Sequence, residues 1–363
     1  RGYVNRYNRE GHYPLIGRQG ALCGNINLAS GKFYATEHAV AVDVFAGCSS
    51  FWAASFLKAL NLNQYATSTA QPGIAVSTIS KVLLPLPTLA EQQRIVAKLG
   101  EVLPQIDKLQ AEEEALAKLQ EEFPQKLKNS LLQAAIQGKL TERLPEDGDA
   151  RELLVEVAAG RERLVKEGKM KRQKPLPEIT EDEIPFEIPE NWCWVRLGEV
   201  AVLNPRNRID DDKEVSFIPM ALIHDGYGNK HSCERKLWGQ VKSGYTHFAE
   251  GDIVVAKITP CFQNRKSAIM RGLVNGYGAG TTELHVIRPL IGRLSNEYLL
   301  YLFKTECFIH NGCLVMTGTA GQQRVGRDYF ENLLIPLPTF AEQQRIVAKL
   351  EELLPLCDAL AVY

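Results

Sequence analysis

Apolar residues recur at Ile95, Leu99, Val102, Ile106 and Leu109, four, three, four and three positions apart, with mostly polar residues between them. The same spacing returns at Ile346, Leu350, Leu353, Cys357 and Leu360. A mean period of about 3.5 residues describes a helix whose apolar seam seeks a partner helix. Each seam follows a nearly identical junction. Pro85 to Leu99 reads PLPTLAEQQRIVAKL and Pro336 to Leu350 reads PLPTFAEQQRIVAKL, so that only Leu89 and Phe340 differ. The Pro-Leu-Pro stretch is extended, because proline disfavours helix in the residue before it. Thr88 with Glu91, and Thr339 with Glu342, match a T-x-x-E capping box that starts a helix. Pro104 and Pro355 fall at equivalent places in the two helices and predict a kink or break there.

The first helical stretch continues through Ala111 to Gln137, with Pro124 as a second expected break and Gly138 as a C-terminal cap. Leu144 to Asp149 reads as a loop and Ala150 to Lys166 as an amphipathic helix. A Pro-rich, acidic linker follows, KPLPEITEDEIPFEIPENW. From Trp192 to Leu337 the texture becomes mixed. WVRLGEVAVL, GDIVVAKI, ELHVIRPL and ENLLIPLP read as strands, and Leu294 to Cys307 as one helix. The N-terminal region repeats the later part of that scheme. YPLIGRQGA parallels DIVVAKITP, YATEHAVAVDVF parallels AGTTELHVIRPL, and SSFWAASFLKAL parallels NEYLLYLFK. No counterpart of Pro185 to Lys242 precedes these segments, and Arg1 is not an initiator methionine, so the chain reads as a fragment of a longer product. The junctions recur 251 residues apart. That interval is domain-sized, well beyond the roughly 20–50 residues of a solenoid repeat.

The length, 363 residues, leaves room for two or three domains, and 45% hydrophobic with 23% charged residues is ordinary for a globular chain. No apolar run reaches the ~18 residues of a membrane span. The eight cysteines are scattered without a C-x-x-C pair and read as reduced thiols of a cytoplasmic protein. A net charge of −1 gives no global attraction to nucleic acid. A basic stretch at Arg161 to Lys174 and an acidic one at Glu178 to Glu190 read as solvated linker.

Catalytic patterns are missing. The glycine-rich Asn275 to Thr282 is not followed by G-K-[ST] and reads as a turn. His224, His231 and Cys233 match no zinc spacing. LNPRNR at Leu203 to Arg208 lacks the quartet of adenine methyltransferases, and no G-x-S-x-G is present. Two loops are instead rich in groups that pair with bases and phosphates. One leaves the GDIVVAKI strand and carries Lys257, Thr259, Gln263, Asn264, Arg265 and Lys266; the other carries Thr317, Thr319, Gln322, Gln323, Arg324 and Arg327. The matching segments of the first module, GRQGALCGN and ATSTAQPG, offer Arg18, Gln19, Thr69 and Gln71.

With the paired junction, the GDIVVAKITP strand-loop and the run TGTAGQQRVGRDYFENLLIPLP, almost the whole chain resembles the specificity subunit of type I restriction–modification systems. The resemblance implies an α+β fold in which two target recognition domains are separated by a long helical, coiled-coil conserved region. It assigns residues 1–86 to the C-terminal part of the first recognition domain and 87–174 to the first helical region. A linker spans 175–184, the second recognition domain 185–337, and the start of the second helical region 338–363. In that family two long helices pack antiparallel as a spacer, and each recognition domain reads one half of a split double-stranded DNA target. The partners implied are modification (methyltransferase) subunits carrying S-adenosylmethionine and a restriction (endonuclease/translocase) subunit using ATP. No cofactor is expected on this chain and no enzymatic activity. A coiled-coil scaffold with protein-binding domains, and a standalone nuclease or methyltransferase, are the rival readings from other classes.

Overall fold

The computed structural model describes residues 5–67, 72–168, 170, 175–319 and 321–360. It divides into two compact units, Arg1–Lys118 and Leu119–Tyr363.

The first unit opens with β1 (Arg9–Gly17), which pairs antiparallel with β2 (Ile26–Phe33) on one side and β3 (Ala39–Ala41) on the other. Helix α1 (Ser50–Ala59) starts where Ser49 Oγ accepts the Trp52 N–H. A single turn, α2 (Val76–Ile79), follows. Ile16, Cys23, Leu57, Leu62 and Ile74 form the small buried core.

Helix α3 (Leu89–Ile136) begins in the first unit and ends in the second. Thr88 Oγ1 accepts the Glu91 N–H at 3.4 Å, as the T-x-x-E pattern predicts. The breaks expected at Pro104 and Pro124 do not occur. Each proline deletes one backbone bond, and the surrounding Ala, Leu, Glu, Lys and Gln residues carry the helix across it. The end is a Schellman cap: Lys139 N–H reaches the Ala134 carbonyl and Gly138 N–H the Ala135 carbonyl, with Gly138 at φ +68.

The second unit continues with α4 (Arg151–Lys166), β4 (Cys193–Arg196), α5 (Leu197–Val200) and β5 (Ala201–Leu203). WVRLGEVAVL is therefore not one strand. Glu199 turns back to accept the Arg196 N–H, and Leu197 N–H is drawn to the Leu333 carbonyl, so the chain coils for one turn. Then come β6 (Glu214–Ile218), β7 (Glu234–Leu237), α6 (Trp238–Val241), β8 (Thr246–Ala249), β9 (Ile253–Ala256) and β10 (Ser267–Ile269). β11 (Tyr277–Gly280) and β12 (Leu284–Pro289) complete two four-stranded sheets, ordered β10-β9-β12-β5 and β7-β6-β11-β8. Only the β11–β6 pair in these sheets is parallel.

The segment read as a single helix at Leu294 to Cys307 is two, α7 (Asn296–Phe303) and α8 (Glu306–Leu314). Thr305 Oγ1 caps the second by accepting the Phe308 N–H, which resets the axis after Lys304. Helix α9 (Arg327–Asn332), strand β13 (Leu334–Leu337), which pairs with β4, and α10 (Phe340–Ala359) end the chain. Helix α10 also runs through its proline, Pro355. Its expected capping box is absent. Thr339 makes no cap bond, and Glu342 instead accepts the Trp192 indole N–H at 2.7 Å.

Both junctions use one side chain in the same way. Gln343 Oε1 accepts the N–H of Ser295, the capping residue of α7, while its Nε2 donates to the Pro338 carbonyl. Gln92 repeats this with Ser49 ahead of α1 and the Pro87 carbonyl. Both glutamines are fully buried. Among the described residues, no helix is long and apolar enough to cross a membrane.

Candidate nucleic-acid interface

In the second unit the two polar loops, some sixty residues apart in the chain, are stitched into one surface. The Thr259 N–H donates to the Gln323 carbonyl at 3.0 Å, and the Val325 N–H to the Lys257 carbonyl at 2.9 Å. The Gln323 N–H in turn reaches Thr259 Oγ1 at 3.2 Å. Arg324 and Thr317 exchange both backbone bonds, at 2.8 and 3.0 Å. The extension of β9 thus pairs with 323–325, which pairs with 317. Gly318 makes the return possible: at φ +123, a Cβ there would lie 2.8 Å from the Gln322 carbonyl oxygen.

The first unit builds the same clamp. The Ile74 N–H donates to the Arg18 carbonyl and the Gly20 N–H to the Pro72 carbonyl, both at 2.9 Å, and the Thr67 N–H to the Gly73 carbonyl at 3.0 Å. Gln19 bridges Gly73 as Ile258 bridges Arg324. Arg18 therefore occupies the position of Lys257, and Thr67 that of Thr317. A cleft of about 410 Å³ lies over this clamp, lined by Gln19, Gly20, His38, Pro72 and Gly73. Thr69 and Gln71, also singled out in the sequence, lie outside the described residues.

The other candidate side chains differ in what they have free. Gln263, Asn264, Thr317, Thr319, Gln322 and Arg327 are exposed, and Thr259, Gln323 and Arg324 half-buried. Most of the cations are committed to carboxylates. Arg324 makes a two-pronged pair with Glu283, both bonds 2.9 Å, and this pairing holds the Glu283 carboxyl below its usual range. Arg327 pairs with Glu331 and Lys266 with Asp225. Arg265 pairs with Glu306 and donates to the Lys304 carbonyl at 3.0 Å. The Lys257 ammonium, unlike its backbone, has no hydrogen-bond or ion-pair partner among the described residues. The Arg18 guanidinium has one long bond, 3.4 Å, to the Glu37 carbonyl.

Two buried groups hold the surface from beneath. Lys304, fully buried, donates to the carbonyls of Gly226, Arg265 and Ser267 at 2.6, 3.2 and 3.1 Å. Burial, helped by the Arg265 cation, pulls its ammonium down to about 7. His285 lies under the clamp, its Nε2–H donating to the Val325 carbonyl at 3.1 Å while Nδ1 accepts from the Asn204 amide at 3.2 Å. Burial lowers its pKa from 6.5 to about 4, with Lys257 and Arg327 adding to the effect. The unfolded chain thus binds the extra proton more readily. Stability is fully present above about pH 6.5 and falls as the pH drops towards 4, by on the order of 3 kcal/mol. Melting curves across that window should show this loss, and His285→Gln should flatten it. An unaltered pH profile in the variant would contradict the assignment.

Nothing local marks Glu283, Glu306 or Lys304 as parts of this surface, because each acts on a residue some forty positions away.

A family model described as the type I restriction modification DNA specificity domain matches residues 1–118 and again 189–360. The chain is 51% identical over 237 residues to the type I restriction enzyme EcoAI specificity subunit of Escherichia coli, covering 65% of this chain and 40% of that protein. It is 50% identical, over the same length and shares, to the EcoEI specificity subunit of Escherichia coli. The chain thus spans about 40% of the length of these relatives. Among solved structures, the HsdS subunit from Thermoanaerobacter tengcongensis matches with a TM-score of 0.47 and 18% identity, over 99% of this chain and 77% of that one. With the specificity-domain pattern matched twice, the chain belongs to the family of type I restriction–modification specificity subunits.

Proposed function

We propose that this chain is the DNA-reading part of a type I restriction–modification complex, and that each clamp reads one half of a bipartite duplex target. The single observation that carries this reading is the repeated clamp. Two units of different sequence present polar loops through the same backbone ladder, with a cation at the same position, Arg18 or Lys257. A ladder of backbone bonds fixes where a loop projects without dictating its side chains. That suits two readers of different sequences. Gln263, Asn264, Gln322 and Gln323 supply the amides that pair with adenine edges, and Thr259, Thr317 and Thr319 the hydroxyls that accept or donate to either strand.

The chain acts without catalysis of its own. Methyl transfer with S-adenosylmethionine and ATP-driven cleavage belong to modification and restriction subunits in the cytoplasm. Such subunits would supply much of the phosphate contact, because the net charge is −1 and most of the loop cations are already paired.

Arg18→Ala and Lys257→Ala, made separately in the full-length protein with its modification partner, test the assignment. Each should weaken binding and lower the slope of log affinity against log salt by about one, leaving base preference unaltered. An unchanged slope in both variants would remove the paired cations from the interface.

A further inference from the structure

The target-reading loop of the second unit is bolted to the long helix by a set of contacts that the clamp does not need. Tyr227 stands at the tip of a turn closed by the His224–Lys230 backbone bond and the Ile223–His231 bridge. Its hydroxyl accepts from Gln125 Nε2 and donates to Asn129 Oδ1, both on α3. Two cations lie over its ring, Arg265 at 5.1 Å and Lys128 of α3 at 5.4 Å from its centroid. Arg265 reaches Asn129 Oδ1 at 3.4 Å, and Glu306 receives both Arg265 and Asn129. The turn and the loop move as one piece, since the Gly226 N–H donates to the Asn264 carbonyl at 2.9 Å and Lys304 binds carbonyls of both. Arg265 adopts φ +58, a conformation unfavourable for a side chain of its size.

We propose that Tyr227 and Arg265 form a joint that registers the target-reading loop against α3 and thereby sets the base-pair spacing at which the second half-site is accepted. The proposal rests on the DNA-reading function above. Its physical basis is the position of the pivot. Without the joint, α3 is first gripped at Lys128, which pairs with Asp358 of α10, and then at Leu131 and Leu132, which pack into the cluster of Trp192, Tyr298, Ile346 and Leu350. Gln125 extends that grip by about one turn towards the N-terminal end of α3, and Asn129 reinforces it beside Lys128. Removing the extension lengthens the free part of the helix and increases its angular freedom, while the clamp and its bases stay intact. Tyr227 and Arg265 are thus positioning residues for spacing, not base readers.

The test uses the full-length gene and its modification partner in a host without other methylation. A plasmid library carries both half-sites separated by a randomised number of base pairs. Tyr227→Phe keeps the ring and removes both hydroxyl bonds; Gln125→Ala removes one of them from an exposed helix surface and carries the test should the first variant fail to accumulate. Both should raise methylation at neighbouring spacings at least tenfold relative to the native spacing, with the bases of each half unchanged. A single native spacing in the variants would overturn the proposal. So would altered bases at an unaltered spacing, which would make Tyr227 a support of the loop alone. No bipartite methylation by the unmodified protein would instead strike the DNA-reading function itself, and the joint with it.

Discussion

Replacing Trp192 by alanine is expected to remove about 3–5 kcal/mol of stability through lost burial, and more through the group it leaves behind. Trp192 is 1% exposed and shares a cluster with Leu132, Tyr298 and Ile346. Its indole N–H is also the hydrogen-bond donor to Glu342, which is fully buried and whose carboxyl is pushed up by that burial. Without the indole, Glu342 would lack this donor, a further cost of about 1–3 kcal/mol. Adding Glu342→Met to Trp192→Ala should therefore recover part of the loss. Glu91 provides the internal control. It occupies the equivalent place in the near-identical junction, yet it is exposed. Glu91→Gln should change stability by no more than about 0.5 kcal/mol. Urea unfolding of the four proteins measures this. A Trp192→Ala loss below about 1 kcal/mol, or a Glu91→Gln cost as large, would contradict the account of the junction.

The same contrast shows what could be read from the sequence. Local rules sufficed where the determinant was local. The Thr88 cap, the Gly138 cap, helix α4 and strands β9 and β12 follow from spacing, capping residues and glycine. The local rules failed where a distant group competed. Thr339-x-x-Glu342 is the same motif as Thr88-x-x-Glu91, but Trp192 takes the glutamate. The helix after Leu294 breaks because Thr305 caps a new one. WVRLGEVAVL bends because Leu333 draws its middle away. Identical residues thus have different fates: Arg345 pairs with Asp147 at 2.7 and 2.6 Å, whereas Arg94 lies exposed.

The candidate interface was legible as two polar loops with counterparts in the first module. Their union was not, because the bonds joining Lys257 and Thr259 to Gln323 and Val325 are tertiary. Nor was the state of the arginines. By residue type alone Arg265 and Arg324 are base readers. In the fold the guanidinium of Arg265 serves Glu306 and the Lys304 carbonyl, and that of Arg324 serves Glu283.

Exchanging the loops at 259–266 and 317–324 together for those of a different specificity domain should have the largest effect on function. The clamp is a backbone ladder, so foreign side chains can be displayed on it. The amides and hydroxyls proposed above to match the old bases would disappear together, and each good bidentate base contact contributes about 1–3 kcal/mol of discrimination. Two or three such losses would reduce preference for the old half-site by orders of magnitude. The first unit keeps its own clamp at 18–20 and 72–74, whose residues the exchange leaves unchanged. Methylome sequencing of a host carrying the exchanged full-length gene and its modification partner reads both halves at once. The expected result is a bipartite methylated motif in which one half is new and the other is that of the unexchanged gene. A motif altered in both halves, or in neither, would contradict it.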